Sequence, residues 1–330
     1  MILSDFTVTP TLREVIGNEA QVFSCELIQT LWSGYGHLVR LELAQSHLSS
    51  VIVKAIQLPD EVPASHPKGW NTQLSHQRKL QSYQVEFSWY QEFVSTMPSG
   101  WAPQCFSAHK YQSHLELILE DLKLLERARV VKTATEMEIK SVLKWLAQFH
   151  AFWLGANTNG LWKQGTYWHL ATRPDEWQAM QDERFKQAAH IIDEKLNECP
   201  YQTLVHGDAK LANFCFNKQG SAVSAVDFQY VGGGVGVKDV ALFFTTTLDF
   251  STADINVAGY LDYYFIQLHS AIEHFKPEIN ANRVCEEWRA LFGLAWADYQ
   301  RFLLGWSPDH SRINAFTSKL TQQALDDFQL

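Results

Sequence analysis

Residues 204–244 limit what this chain can fold into more than any other stretch of its sequence. Two short apolar runs, at residues 203–205 and 222–226, each end in polar and acidic side chains. Apolar runs of this length between turn signals favour buried β-strands. Strands that end in this way present charged groups at one edge of a sheet, where a rigid scaffold positions them for function.

The polar residues after these strands have a spacing that suits phosphoryl transfer. Asn213 and Asp227 carry hard oxygen atoms, and Mg²⁺ usually takes only one or two such ligands from protein. Asp208 precedes Asn213 by five residues, so its carboxylate could orient an attacking hydroxyl or accept its proton. Lys210 could place a positive charge near the transferred phosphoryl group.

Two neighbouring residues are expected to be structural. His206 is typical of a buried histidine that is satisfied by the backbone, and Asp239 could cap the following helix and hydrogen-bond back to the loop. Asp208, Asn213 and Asp227 could each be turn residues, because Asp and Asn favour turns. Their joint spacing favours phosphoryl transfer over that alternative.

A glycine turn lies between the first two of three strand-like runs near the N-terminus, at residues 22–31, 38–43 and 51–56. Gly34 and Gly36 would let backbone N–H groups approach a phosphate. A plain hairpin turn is the alternative, because the turn contains only two glycines.

Lys54 lies inside the third run and shares a strand face with Ile52 and Ile56. Because that face is apolar, Lys54 is more consistent with an ammonium that reaches a site than with a solvated lysine. The helix predicted at residues 77–96 carries Glu86 among aromatic residues, where a carboxylate needs a partner. A solvent-exposed helix glutamate is the alternative.

These motifs resemble the aminoglycoside phosphotransferase and choline kinase superfamily. Within it, residues 204–244 are most similar to the ecdysteroid kinase-like branch. Members of the superfamily phosphorylate hydroxyl groups of small molecules with ATP on a protein-kinase-like fold. The motifs that carry the resemblance are His206-Gly207-Asp208 with Asn213, Asp227-Phe228-Gln229 and Asp239-Val240-Ala241.

The resemblance implies an α+β fold with two lobes. A small antiparallel-sheet N-lobe would span residues 1–121, and a mainly helical C-lobe would span residues 122–330. A capping box of Thr135 and Glu138 predicts the start of one C-lobe helix. Further helices are expected near residues 175–199, 255–275, 283–304 and 310–328.

The resemblance also implies roles for the N-lobe residues. Lys54 would hold the α- and β-phosphates of ATP under the turn at Gly34 and Gly36. Glu86 would pair with the Lys54 ammonium and fix its position, and Glu92 is the competing partner.

The resemblance assigns the remaining candidates as well. The backbone around Glu120 and Leu122 would hydrogen-bond an adenine edge. Asp208 would position and deprotonate the acceptor hydroxyl, and Lys210 would offset charge on the transferred group. Asn213 and the acidic residue of the Asp-Phe-Gln motif would bind Mg²⁺.

The sequence departs from the protein-kinase pattern, because Asp227-Phe228-Gln229 lacks the final glycine and no activation segment follows. A protein acceptor is therefore not expected, and the resemblance implies a small choline-, aminoglycoside- or sterol-like molecule instead. The glycine-rich residues 232–236 would form a flexible floor beside the metal site. Aromatic residues of the C-lobe, with acidic residues such as Asp298, could hold a cation or a flat ring.

Two rival functions stay open. One is a catalytically inactive nucleotide-binding regulatory protein on the same fold. The other is a metal-dependent hydrolase that uses His206, Asp208 and Asp227, which would leave Lys54 and Glu86 without a role.

Composition narrows the class of partner. The net charge of −9 argues against nucleic acid and anionic membranes. Five cysteines without CxxC pairs indicate reduced thiols and a cytoplasmic protein, and neither a signal peptide nor a membrane span is expected. The sequence leaves the acceptor and the oligomeric state open.

Overall fold

The computed structural model describes residues 6–31, 34–58, 73–250 and 256–330. The chain divides into two compact units, which are described separately. Unit 1 comprises Met1–Arg129, Cys215–Lys218 and Ser224–Gln229. Unit 2 comprises Val130–Phe214, Gln219–Val223 and Tyr230–Leu330.

Unit 1 is built on a five-stranded antiparallel sheet with the strand order β1-β2-β3-β5-β4. Its strands are β1 (Gln21–Thr30), β2 (Gly36–Ala44), β3 (Ser50–Gln57), β4 (Cys105–Tyr111) and β5 (His114–Glu120). Alternate side chains of β2 are buried, as the two-residue period of a strand requires.

Helix α1 (Pro10–Ile16) packs against this sheet. Residues at its own N-terminus determine where it begins, and its apolar face determines which side packs. Thr9 accepts a hydrogen bond from the Leu12 N–H, and Pro10 starts the helix with its φ already fixed. Leu12 and Ile16 then pack against Val39, Leu41, Val51, Val53 and Ile118 of the sheet.

The helix that was predicted at residues 77–96 begins earlier and changes its winding. Helix α2 runs over Gln73–Ser88, and a π-helical turn (Trp89–Phe93) and a 3₁₀ turn (Val94–Thr96) follow it. The wider turn brings the Trp89 and Phe93 rings into a stacked arrangement, with centroids 5.7 Å apart.

Unit 2 is mainly helical, which together with unit 1 confirms the α+β organisation that the resemblance implies. Its longer helices are α3 (Glu136–Phe152), α5 (Glu183–Glu198), α6 (Val237–Thr247), α7 (Val257–Phe275), α8 (Ala281–Trp306) and α9 (Ala315–Asp327), and α4 (Pro174–Ala179) is short. The predicted capping box of Thr135 and Glu138 is confirmed at the start of α3. In the part of the chain that the structure describes, no helix is long and apolar enough to cross a membrane.

The single helix that was expected near residues 175–199 is in fact two helices. Helix α4 ends before Met180, and Asp182 caps α5 by accepting a hydrogen bond from the Phe185 N–H at 2.9 Å. The first N–H groups of a helix have no partner within the helix. The Asp182 side chain accepts a hydrogen bond from one of them, so a new helix starts after Asp182.

Short strands complete the framework: β6 (Thr203–Val205), β7 (Phe214–Phe216), β8 (Val223–Ala225) and β9 (Gly232–Gly234). The prediction that the glycine run forms a flexible floor is wrong, because β9 pairs antiparallel with β6 in unit 2. A Cβ atom on Gly232 would overlap the carbonyl oxygen of Trp162, so another segment crosses these glycines at backbone distance. The glycines serve close packing, which only a residue without a side chain permits.

Candidate functional site

Lys54 and Glu86 form a buried ion pair in unit 1. The Lys54 Nζ atom lies 2.6 Å from Glu86 Oε2, and the two residues are 6% and 2% exposed. The predicted pairing is confirmed, whereas the competing Glu92 is exposed to solvent. Burial raises the pKa of Glu86, and the Lys54 ammonium opposes that rise.

Asp227 belongs to the same unit and acts on the same glutamate. Its negative charge contributes to the raised pKa of Glu86. Asp227 has a φ of +67°, which is uncommon for a residue with a side chain, and the next ring, Phe228, stacks on Trp89 with centroids 4.6 Å apart. The structure therefore brings Lys54, Glu86 and Asp227 into one electrostatic group within unit 1.

Gln229 anchors the Asp-Phe-Gln motif to helix α2, a contact that the sequence analysis missed. Its Oε1 atom accepts hydrogen bonds from Lys79 Nζ at 2.6 Å and from Ser82 Oγ at 3.3 Å. Lys79 also lies over the Tyr83 ring at 4.5 Å. Lys79, Ser82 and Glu86 have the spacing of one helix face, so the sequence shows that they share a face but not that Gln229 packs against it.

The glycine turn between β1 and β2 is held by backbone hydrogen bonds. The Gly34 N–H donates to the Leu31 carbonyl at 3.1 Å, and the Gly36 carbonyl accepts from the Leu31 N–H at 2.8 Å. A Cβ atom on Gly36 would overlap the Ala55 carbonyl oxygen, so packing against β3 already explains this glycine. Trp32 and Ser33 of the turn, and residues 59–72 of the following connection, lie outside the described residues.

The segment that was expected to bind adenine uses part of its backbone internally. The Glu120 N–H donates to the Gln104 carbonyl at 2.9 Å, and the Leu122 carbonyl accepts from the Arg127 N–H at 2.8 Å. An adenine edge would therefore have to bind other backbone groups of this segment.

Asp121 anchors this segment and was also missed. Its side chain is 1% exposed and accepts hydrogen bonds from Arg40 Nε and Ser50 Oγ, each at 2.8 Å. It also accepts from the Lys123 N–H at 3.0 Å, which starts the helical turn Leu122–Leu125. A carboxylate placed directly after an apolar strand was the available signal.

The loop after β6 gathers the polar residues of unit 2 around Asp208, which is 4% exposed. Asp208 Oδ2 accepts hydrogen bonds from Lys210 Nζ at 2.6 Å and from Asn213 Nδ2 at 3.0 Å. Because the amide nitrogen of Asn213 faces Asp208, its Oδ1 atom is the one that could bind a metal. His206 is fully buried, and its Nδ1 accepts from the Asp208 N–H at 3.2 Å, which confirms its structural role.

Asp239 hydrogen-bonds back to this loop, as predicted, but the prediction that it caps the following helix is wrong, because α6 begins at Val237 and Asp239 lies inside its first turn. Its two carboxylate oxygens accept hydrogen bonds from the His206 N–H at 2.6 Å and the Gly207 N–H at 2.9 Å. His150, on α3, lies 3.1 Å from the same carboxylate and 2.9 Å from the Tyr264 hydroxyl on α7. Two helices thus support the loop through one buried aspartate.

The suggestion that Asp298 helps to hold a cationic acceptor is wrong. Asp298 is fully buried and accepts hydrogen bonds from Trp168 Nε1 at 3.0 Å and from Arg301, and Lys238 Nζ lies 3.2 Å away. Burial alone would raise the pKa of Asp298, but Lys238 and Arg301 outweigh it and hold the pKa below its ordinary value. Its charge is already neutralised inside the helical unit.

All five cysteines are free thiols. Burial raises the pKa of Cys215 to about 11, so its thiol stays protonated at neutral pH. This agrees with the expectation that the cysteines are reduced thiols.

The resemblance implied a buried Lys–Glu pair in the sheet unit and an Asp–Lys–Asn loop in the helical unit, and both are present. Residues 161–276 match the model of the ecdysteroid kinase-like family. The match covers about a third of the chain and includes the loop of Asp208, so it confirms the resemblance over that segment. A search of curated proteins found no match.

Several solved structures are similar to the chain at low identity. An aminoglycoside-3'-phosphotransferase of type VIII has 14% identity and a TM-score of 0.46, with 86% of this chain and 97% of that chain covered. The Plasmodium vivax ethanolamine kinase has 11% identity and a TM-score of 0.46, with 99% and 85% covered. The Cryptosporidium parvum choline kinase has 9% identity and a TM-score of 0.46, with 97% and 92% covered. These similarities are too low to indicate an activity or an acceptor for this chain.

Proposed function

We propose that the protein is an ATP-dependent phosphotransferase that transfers the γ-phosphoryl group to a hydroxyl of a small molecule. The observation that carries the proposal is the buried Lys54–Glu86 pair, which shares unit 1 with Asp227. When an ion pair is buried, the free energy lost by removing both charges from water is about as large as the free energy gained from their attraction. Stability alone therefore gives little reason to place such a pair in a sheet core. A buried ammonium that is fixed by a carboxylate suits a polyphosphate ligand.

The residues of unit 1 would bind the nucleotide. Lys54 would contact the phosphates, and Glu86 would hold its ammonium in position. The turn with Gly34 and Gly36 would lie over the phosphates.

The residues of unit 2 would act on the acceptor. Asp208 would hold the acceptor hydroxyl by a hydrogen bond and take its proton as the oxygen attacks phosphorus. Lys210, whose side chain is 41% exposed, would offset the charge that develops on the transferred group. Because phosphoryl transfer asks little covalent chemistry of the protein, positioning and charge would account for most of the rate.

Asn213 and Asp227 each carry an oxygen atom of the hard kind that Mg²⁺ prefers. When bound, Mg²⁺ would neutralise negative charge on the phosphate oxygens. Among the described residues, no three His, Cys, Asp or Glu side chains cluster closely enough to hold a metal on their own. Phosphate oxygens of the nucleotide and water molecules would complete the coordination.

The test is ADP formation by the purified protein with Mg²⁺-ATP and a panel of ecdysone, choline, kanamycin and glucose. We expect turnover with at least one of these alcohols. Asp208→Asn should lower turnover by roughly 10²-fold or more and leave ATP binding intact. Asp309→Asn is the matched control, because Asp309 is an exposed aspartate of the same unit.

Asp227→Ala should instead weaken binding of Mg²⁺-ATP, as calorimetry with and without Mg²⁺ would show. Equal turnover in the folded Asp208→Asn variant would refute the assignment of Asp208. Nucleotide binding without turnover on any alcohol would favour the inactive regulatory protein.

A further inference from the structure

Tyr35 is a buried aromatic residue inside the glycine turn of unit 1. Gly34 and Gly36 flank it with φ angles of +76° and +145°, which residues with a side chain rarely adopt. The Tyr35 carbonyl accepts a hydrogen bond from the Gln57 N–H at 2.7 Å, and the residue is only 3% exposed. The turn therefore directs the Tyr35 side chain into the interior of unit 1.

The hydroxyl of Tyr35 lies against helix α2. It is 2.7 Å from Nδ1 of His76, which is 7% exposed and belongs to the first turn of the helix. The two rings meet edge to face, with centroids 6.0 Å apart. Burial raises the pKa of the Tyr35 phenol, so its hydroxyl keeps its proton at neutral pH. Because breaking a buried hydrogen bond leaves a polar group without solvent, this bond holds both side chains in place.

His76 shares one face of α2 with three other residues, at intervals of three, four and three positions: Lys79, Tyr83 and Glu86. The Tyr83 side chain is fully buried, and its ring lies edge to face against the Tyr35 ring, with centroids 6.2 Å apart. Tyr35 therefore contacts this face of α2 at two positions, which are two helical turns apart.

The same face of α2 holds the other segments of unit 1 that are proposed to bind the nucleotide. Glu86 pairs with Lys54 at 2.6 Å, and Lys79 donates a hydrogen bond to Gln229 of the Asp-Phe-Gln motif at 2.6 Å. The contact at Tyr35 adds the glycine turn to this set. One side of α2 therefore sets the positions of the turn, the lysine and the motif relative to one another.

Packing alone does not explain the polar pair of Tyr35 and His76. A Tyr35→Phe replacement would keep the ring contacts, and a hydrogen bond between neutral groups contributes only modestly to net stability. The hydroxyl adds a defined direction, which fixes the distance between the turn and the helix. A fixed distance matters most where the turn has to meet a ligand.

We propose that Tyr35 and His76 are positioning residues of the nucleotide site. Their hydrogen bond ties the turn of Gly34 and Gly36 to helix α2, so that the turn and Lys54 keep a fixed relative position for binding phosphates. This inference rests on the proposed function, because it takes the phosphates of a nucleotide as the ligand of the turn. Tyr35 and His76 act through the turn and do not themselves contact the nucleotide.

The test is calorimetric binding of Mg²⁺-ADP to the whole chain and to variants of the pair. Tyr35→Phe and His76→Leu should each weaken ADP binding by roughly three- to tenfold, because each removes the same hydrogen bond. The Tyr35→Phe/His76→Leu double variant should lose no more affinity than the weaker-binding single variant. His76→Asn, whose side-chain amide can occupy the position of Nδ1, should bind ADP within about twofold of the wild type.

Adenosine distinguishes positioning of the turn from a general structural role, because it has the base and the ribose but no phosphate. Its affinity, titrated by ligand-observed NMR, should be the same in the wild type and in Tyr35→Phe. Tyr111→Phe is the matched control, because Tyr111 is a tyrosine on β4 of the same sheet whose hydroxyl lies 3.1 Å from the Thr11 hydroxyl. It should leave ADP affinity unchanged.

Thermal unfolding of each variant shows whether it is folded, and either single variant serves if the other is not. Unchanged ADP affinity in the folded single variants would overturn the inference. An equal loss of affinity for adenosine, or additive losses in the double variant, would also overturn it.

The outcomes for the proposed phosphotransferase are separate. ADP binding that depends on Tyr35 and His76, without transfer to any alcohol of the panel, would refute the phosphotransferase and leave the inference standing. Transfer by a wild type whose variants bind ADP equally well would refute the inference and leave the phosphotransferase standing. A wild type that binds no ADP would refute both.

Discussion

Replacing both members of the Lys54–Glu86 pair should restore most of the stability that each single replacement removes. At 2.6 Å the two charges attract by about 6 kcal/mol at an effective dielectric constant of about 20. Removing both charges from water costs several kcal/mol for each ion, so the pair is close to neutral for stability. A single Lys54→Met or Glu86→Leu replacement leaves one buried charge without its counter-ion, which should cost about 3–5 kcal/mol.

The assay is urea unfolding at pH 7 of the wild type, both single variants and the Lys54→Met/Glu86→Leu double variant. We expect the double variant to unfold within about 1 kcal/mol of the wild type, while its ADP binding is lost. Lys123→Met is the matched control, because Lys123 is 58% exposed and lies 3.6 Å from Glu42, where a pair contributes below about 1 kcal/mol.

A double variant as unstable as the sum of the two single variants would contradict this reasoning. The pair would then be a net stabilising contact of the sheet core. The buried Lys54–Glu86 pair would then be explained by stability and would no longer support a phosphate site.

Three further predictions concern other parts of the structure. Burial, together with the charge of Lys238, lowers the pKa of His169 from 6.5 to about 3, so only the unfolded chain binds this proton as pH falls below 6.5. Unfolding free energy should therefore drop by about 2 kcal/mol between pH 7 and pH 5 in urea melts, and His169→Gln should remove that portion. Gln229→Leu should weaken calorimetric Mg²⁺-ADP binding more than Mg²⁺-free ADP binding, because Lys79 and Ser82 lose their contact with the motif of Asp227, which is proposed to bind Mg²⁺; equal weakening would refute this. Gly232→Ala should lower stability by about 2 kcal/mol or more, and an unchanged melting temperature would contradict the close packing seen there.

The sequence was sufficient where short-range spacing determines contact. Asp208, Lys210 and Asn213 lie within six positions of the sequence, so their spacing alone predicts that their side chains are close together. The Lys54–Glu86 pair was predicted on a different basis. Each charged residue lies among apolar neighbours and needs a partner, and the family resemblance indicated which partner that is.

Contacts between segments that are distant in the sequence were not predictable. A run of glycines is compatible both with a flexible segment and with a segment that another part of the chain crosses at close distance. The sequence at Gly232 therefore did not distinguish flexibility from close packing. Asp298 looked available for a ligand because a sequence does not show which lysine and arginine will be buried against it. Gln229 differed from the expected glycine, but only the structure shows that Lys79 is its partner.

The double hydrogen bond from Asp239 to the backbone also determines how rigid the loop of unit 2 is. Because His206 and Gly207 are already fixed by one carboxylate, the carbonyl and side chain of Asp208 take their directions when the chain folds. An acceptor that bound there as proposed would meet a rigid surface, and little affinity would be lost in ordering the loop. Evolution of a new acceptor would then proceed by changing the residues around the loop, while the loop itself keeps its shape.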